Sequence, residues 1–231
     1  MKTIKILIAL VLFAAGQTFA ANIEDRHLSG FHAVDAAGPF DVYITQGNTE
    51  TVKVDAPDDV IKNVLTDVRS GTLRIYTKEH FSWKNIFNNK KVVIYITVKS
   101  IDNINLTGSG NVTFKDGLNA TDMRLHVSGS GNIQGKLTAK ALDASISGSG
   151  NLKLSGAAEN QNVGVSGSGN YSARDLNSAN ANVSVSGSGN ASVYASTGLN
   201  AHVSGSGGVH YGGNPKNVSK SKSGSGSISS W

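Results

Sequence analysis

The chain contains no cysteine. That excludes a disulfide framework and the lipid-modified cysteine of a lipoprotein anchor, so the fold must rest on apolar burial and backbone pairing. Aromatic residues are scarce, at 6%, and charged residues make up only 16% for a net charge of +5. Two of those positive charges, Lys2 and Lys5, sit in the first five residues. The rest are scattered and form no basic stripe, so nucleic acid is not an expected partner. The repeats also lack paired acids. Asp102, Asp116, Asp122, Asp143, Glu159 and Asp175 occur singly, whereas glycoside hydrolysis needs two carboxylates at a defined separation. Asp122, Asp143 and Asp175 read as turn residues in return segments. The histidines at 27, 32, 80, 126, 202 and 210 lack ligand spacing, and the nine-residue Gly-Gly-x-Gly-x-Asp calcium repeat is missing. No metal or cofactor is expected.

The long apolar run "ILIALVLFAAG" follows Lys2 and Lys5 and ends near small residues at Thr18 and Ala20. This is the pattern of a secretory signal peptide, with cleavage expected after Ala20. The run is too short for a good membrane span, so no transmembrane segment is expected after cleavage. The expected location is the bacterial periplasm, the cell surface or the extracellular space.

What the chain has in abundance is a repeated phrase. Gly-Ser-Gly begins at Gly108, Gly129, Gly148, Gly167, Gly187, Gly205 and Gly224, in steps of 18 to 21 residues. A near-constant step without heptads indicates a solenoid with one coil per repeat. Side-chain parity agrees, since strand residues alternate between faces. From Val183, one parity reads Val183, Val185, Gly187, Gly189, Ala191, Val193; the other reads Ser184, Ser186, Ser188, Asn190, Ser192. The same split holds from Ile104, Leu125, Ala144, Val163 and Ala201. The expected fold is all-β: a single-stranded, right-handed parallel β-helix with coils of about 19–20 residues. Its corners are built by Gly108 and Gly110, Gly129 and Gly131, Gly148 and Gly150, Gly167 and Gly169, and Gly187 and Gly189. These glycines face inward, where a Cβ would crowd the coil and where φ values cheap only for glycine serve the bend. Stacking then aligns Asn111, Asn132, Asn151, Asn170 and Asn190 in one outward column, able to hydrogen-bond as an amide ladder.

Residues 21–100 are less regular. A hairpin is expected around Ser70-Gly71 and a helical turn after Pro57. "VDAAGPFDVYI" reads as a degenerate repeat, so the rod begins near residue 31 with larger first coils. Residues 101–231 form the regular part, continuous with the first in one domain. The final coil carries Lys220 and Lys222 at inward positions, as suits an end coil that blocks end-to-end pairing.

The repeated Gly-Ser-Gly-Asn-hydrophobic phrase, with "GPFDVYITQG" and "GTLRIYTK", resembles the head-GIN-domain family of autotransporter-type adhesins. The resemblance covers residues 30–231. The Gly-Asn-hydrophobic motif falls on Asn111-Val112, Asn132-Ile133 and Asn151-Leu152; Tyr171 and Ala191 depart from it, and "GSGGV" and "GSGSI" lack the Asn. The resemblance implies an exported β-helical protein and supplies no catalytic residues.

Two surfaces are candidates for binding. One is the outward asparagine column with its serines. The other is "EHFSWKNIFNNKK", which groups Phe81, Trp83 and Phe87 with Lys84; such rings and cations can stack on sugars or join a partner. The expectation is a non-enzymatic envelope or surface module of adhesin type, with a cell-surface glycan or an envelope protein as partner and room for self-association. The alternatives are a polysaccharide-acting enzyme and a purely structural envelope protein.

Overall fold

The computed structural model describes residues 22–79 and 91–231. Each Gly-Ser-Gly in it turns the chain from one wall of a β-solenoid to the next. The first glycine of every corner has φ between 101° and 121°, a region that residues with a Cβ avoid. The second glycine has ordinary φ, but a Cβ there would run into the carbonyl of the corresponding residue one coil below, Phe40 beneath Gly110 and a glycine in the later corners. From Gly129 onward a Cβ at the first glycine would also meet a carbonyl one coil below, so the first position is required by φ and by close approach, the second by close approach alone. Backbone bonds close the corner: Gly129 O accepts from the N–H groups of Ser149 at 2.8 Å and Gly150 at 2.9 Å, and the pattern recurs at Gly148, Gly167 and Gly187.

The long strands β9 (Asn111–Gly129), β10 (Asn132–Gly148), β11 (Asn151–Gly167) and β12 (Asn170–Gly187) each make nearly a full coil. They pair in parallel along almost their whole length. The return segments, expected as connections, are therefore strand as well. Small register shifts at Gly135/Leu137 and Lys153/Ser155 absorb the differences in coil length. Above them the coils split into shorter strands: β13 (Asn190–Tyr194), β14 (Gly198–Gly205), β15 (Gly208–Gly212), β16 (Asn217–Ser223) and β17 (Ser227–Ser230).

The N-terminal end differs from chain order. β2 (Ala33–Ala37) and β3 (Asp41–Gln46) form a coil that resembles the later repeats. It is not the outermost coil. β2 lies between β6 (Thr72–Thr77) and β8 (Asn103–Gly108), and β3 lies between β7 (Val93–Val98) and β9. A later piece of chain has covered an earlier one. The end is closed by antiparallel pairs: β5 (Val64–Arg69) on β6, β4 (Thr51–Ala56) on β7, and β1 (Asn22–Asp25) on β4. The β5–β6 hairpin turns at Ser70 and Gly71, both with positive φ. The helical turn α1 (Asp58–Ile61) follows Pro57 and buries Val60 and Ile61.

Inside, side chains stack in columns. One runs Leu73, Val34, Ile104, Leu125, Ala144, Val163, Val183, Ala201. All are buried, and at about 25 cal/mol per Å² such columns are the main source of stability. The register continues to Lys220 and, in the neighbouring column, from Val203 to Lys222. Both lysines are exposed, and Lys220 Nζ rests 4.7 Å from the centroid of the Tyr211 ring. Trp231 lies beneath the Arg174 guanidinium, 4.7 Å from its ring centroid.

Candidate functional site

The outward column at the glycine corner is a continuous amide ladder. Asn190 donates to Asn170 at 3.2 Å, Asn170 to Asn151 at 3.0 Å, Asn151 to Asn132 at 2.8 Å and Asn132 to Asn111 at 2.9 Å. Asn111 in turn donates to the Asp41 carboxylate at 2.8 Å. Asp41 is the degenerate repeat's substitute for asparagine, and its acceptor-only oxygens suit the end of a column whose amides all donate in one direction. Each amide from Asn111 to Asn170 spends one N–H and one lone pair on its neighbours. Amides joined in this way from coil to coil have the geometry of a stabilising ladder.

Phe81, Trp83, Phe87 and Lys84 lie outside the described residues. Among the described residues the exposed aromatics are Trp231, Tyr43 and Tyr95, of which the two tyrosines lie in register on β3 and β7. Their rings stack at 5.6 Å between centroids and 18° between planes. They face each other, so this is a cross-strand packing pair.

A concave feature lies on another line, in the segments expected as returns. A groove of about 1060 Å³ runs along the solenoid axis across β9, β10, β11, β12, β14 and β16. Each coil contributes three successive residues. The middle ones, Met123, Leu142, Gln161, Ala181 and Leu199, are buried, and only Val218 at the C-terminal end is exposed. The flanking ones form two outer walls. One wall reads Arg124, Asp143, Asn162, Asn182, Asn200, Ser219; the other reads Asp122, Ala141, Asn160, Asn180, Gly198, Asn217.

The first wall is a second amide ladder. Asn200 donates to Asn182 at 3.1 Å, Asn182 to Asn162 at 2.9 Å and Asn162 to Asp143 at 3.4 Å. Again an aspartate receives the last amide. On the opposite wall Asn180 donates to Asn160 at 3.0 Å. The two central coils therefore present asparagine on both sides. Asp122 and Asp143 are not turn residues; both lie in strands and line this groove.

Gln161 stands in the middle position of the groove but serves the interior. Its Nε2 donates to Ser178 Oγ at 2.7 Å and to the Tyr194 carbonyl at 3.0 Å, and its Oε1 accepts from the buried Tyr171 hydroxyl at 3.0 Å. Ser178 also donates to the Tyr194 carbonyl. All of Gln161's principal hydrogen-bonding groups are engaged, as a buried amide requires. Burial pushes the Tyr171 phenol well above its ordinary value.

The groove's signal was present in the sequence as "NQN", "NAN" and "LNAH", at near-constant offsets from the corner glycines. The sequence alone does not mark it, because those segments read as connections, where polar residues carry no positional meaning. Among the described residues, no three His, Asp or Glu side chains converge in a metal-binding arrangement.

A family model described as "Putative auto-transporter adhesin, head GIN domain" matches residues 30–215. No curated protein matches the chain. The crystal structure of a "putative adhesin" from Bacteroides fragilis superposes with a TM-score of 0.85 at 25% identity, over 93% of this chain and 98% of that one. A "putative lipid binding protein" from Parabacteroides distasonis does so with a TM-score of 0.74 at 26% identity, over 93% and 98%. A "putative adhesin" from Parabacteroides merdae, at 19% identity and a TM-score of 0.68 over 93% and 97%, shares the fold. With the model match spanning most of the solenoid, the chain belongs to the head-GIN-domain family of auto-transporter adhesins.

Proposed function

We propose that the protein is an exported, non-enzymatic adhesin-like module that holds a cell-surface or envelope glycan in its asparagine-lined groove. The observation that carries this reading is the groove itself: an axial concavity whose central coils present paired amides on both walls. Side-chain amides offer a donor and an acceptor together, which matches the hydroxyls of a sugar, and they do not shuttle protons. The only carboxylates in the groove, Asp122 and Asp143, sit at its N-terminal end, and Asp143 is engaged by Asn162. Family membership supports the adhesin class. Export rests on the signal pattern of residues 1–20, which lie outside the described residues. No helix among the described residues is long and apolar enough to cross a membrane.

The test is a glycan array probed with residues 21–231, alongside cell fractionation of the full chain. The expected result is retention of a class of glycans, weakened by Asn162→Leu with Asn182→Leu, and recovery of a shortened chain outside the cytoplasm. Binding lost instead on Trp83→Ala would move the site to the 79–91 segment. Depolymerisation of a long polysaccharide would show an enzyme.

A further inference from the structure

We infer that the groove takes a linear, uncharged glycan lying parallel to the solenoid axis, with one sugar against each coil. This rests on the glycan reading above and specifies how the ligand is arranged.

Four observations point to it. The first is periodicity. The walls repeat at the spacing of paired strands, about 4.8 Å, over six coils in unbroken register. An equatorially linked pyranose chain advances by nearly that distance per sugar. An extended peptide advances about 3.3 Å per residue and drifts out of step with the amides within two residues.

The second is hydrogen-bonding capacity. Asn162 and Asn182 each spend one N–H and one oxygen lone pair on the ladder. An amide has two of each, so every ladder coil keeps one donor and one acceptor for a ligand. Opposite them stand Asn160 and Asn180, so the two central coils can hold a sugar from both sides.

The third is charge. Asp122 and Asp143 balance Arg124 and Lys216, and all four lie toward the ends of the groove. The middle is neutral, as suits an uncharged chain; a polyanion or polycation would meet a like charge at one end and nothing compensating in the centre.

The fourth is the absence of aromatic rings from the groove lining. Without stacking, each sugar is held by hydrogen bonds that also exist in water, so each contributes little. Affinity must accumulate along the chain. The aligned amides, all donating toward Asp143, also give the groove a direction, and so the bound chain has a preferred polarity.

The test is titration calorimetry of residues 21–231 with neutral β-1,4-linked gluco- and manno-oligosaccharides of two to eight sugars, and with uronic-acid oligomers of equal length. The expected result is an affinity that climbs with length and levels off near six sugars. Asn160→Ala with Asn180→Ala should weaken the hexasaccharide about tenfold, the equivalent of two modest hydrogen bonds. That wall holds a single ladder bond, so the variant disturbs the fold less than the Asn162/Asn182 variant, which removes three; circular dichroism checks this. A length dependence that stops at two sugars overturns the axial arrangement while leaving glycan binding intact. Tighter binding of the uronic series overturns the uncharged class alone. No binding by any neutral oligomer overturns this inference, and a blank array in addition removes the reading beneath it.

Discussion

The corner glycines allow a quantitative comparison inside one coil. Gly167 has φ +110°, and a Cβ there would lie 2.5 Å from the carbonyl oxygen of Gly148 in the coil below. Replacing it by alanine imposes a backbone strain of about 1–3 kcal/mol. Forcing the carbonyl aside adds about 1–3 kcal/mol of overpacking. That carbonyl accepts from Ser168 at 2.9 Å and Gly169 at 3.0 Å, so its movement also loosens the corner's own bonds. Gly167→Ala should therefore cost roughly 2–6 kcal/mol, a large share of a domain's stability. Gly164, three residues earlier, is the control. A Cβ there meets nothing within 4 Å and its φ is ordinary; its register neighbours, Ser145 and Ser184, already carry side chains. Gly164→Ala should be neutral or stabilise by about 0.5–1 kcal/mol, through the lower entropy of the unfolded chain. Urea unfolding followed by far-ultraviolet circular dichroism reads both. The reasoning fails if Gly167→Ala unfolds within about 0.5 kcal/mol of wild type, or if the two variants shift the midpoint equally. A solenoid transmits instability to its neighbours, so a changed denaturant slope for Gly167→Ala is also expected, reporting a coil that has opened on its own.

Asn151→Leu removes two ladder bonds, to Asn132 and from Asn170, and should lower stability by about 1–2 kcal/mol in the same assay. The raised proton affinity of Tyr171 gives a pH dependence. Unfolded tyrosine ionises near pH 10 while the buried one resists, so this contribution is complete below about pH 10 and is lost as pH rises further. Tyr171→Phe should be less stable at neutral pH by about 1 kcal/mol, since Gln161 Oε1 loses its donor, and should show a shallower alkaline decline in thermal melts. Lys220→Ala with Lys222→Val completes the apolar inner face of the last coil, whose register neighbours are Ala201 and Val203. It should promote end-to-end association, visible as a concentration-dependent increase in sedimentation coefficient.

The regular half of the rod was legible because its rules are local. A coil that must turn at fixed intervals needs a residue that tolerates positive φ and a second with no Cβ, and Gly-Ser-Gly supplies both in every repeat. Side-chain parity follows from strand geometry alone, so the inner columns and the Asn111–Asn190 ladder could be written down from register. The hairpin at Ser70-Gly71 and the turn after Pro57 rest on short-range backbone preferences of the same kind.

What tertiary structure decided is what depends on segments meeting. That β2 and β3 sit beneath β6 and β7, and so are not the rod's end, follows from which apolar faces remain to be covered after the chain has returned, and no local pattern encodes that order. The groove arises likewise. Asn160, Asn162, Asn180 and Asn182 are visible in the sequence as polar residues flanking buried ones. Only the inward bend of stacked strands makes them opposite walls of one cleft. By itself the sequence determined the repeat unit, its corners and its inner and outer faces, because these follow from the sterics of single residues. The tertiary fold alone determined where the surface becomes concave, because curvature is a property of the whole stack.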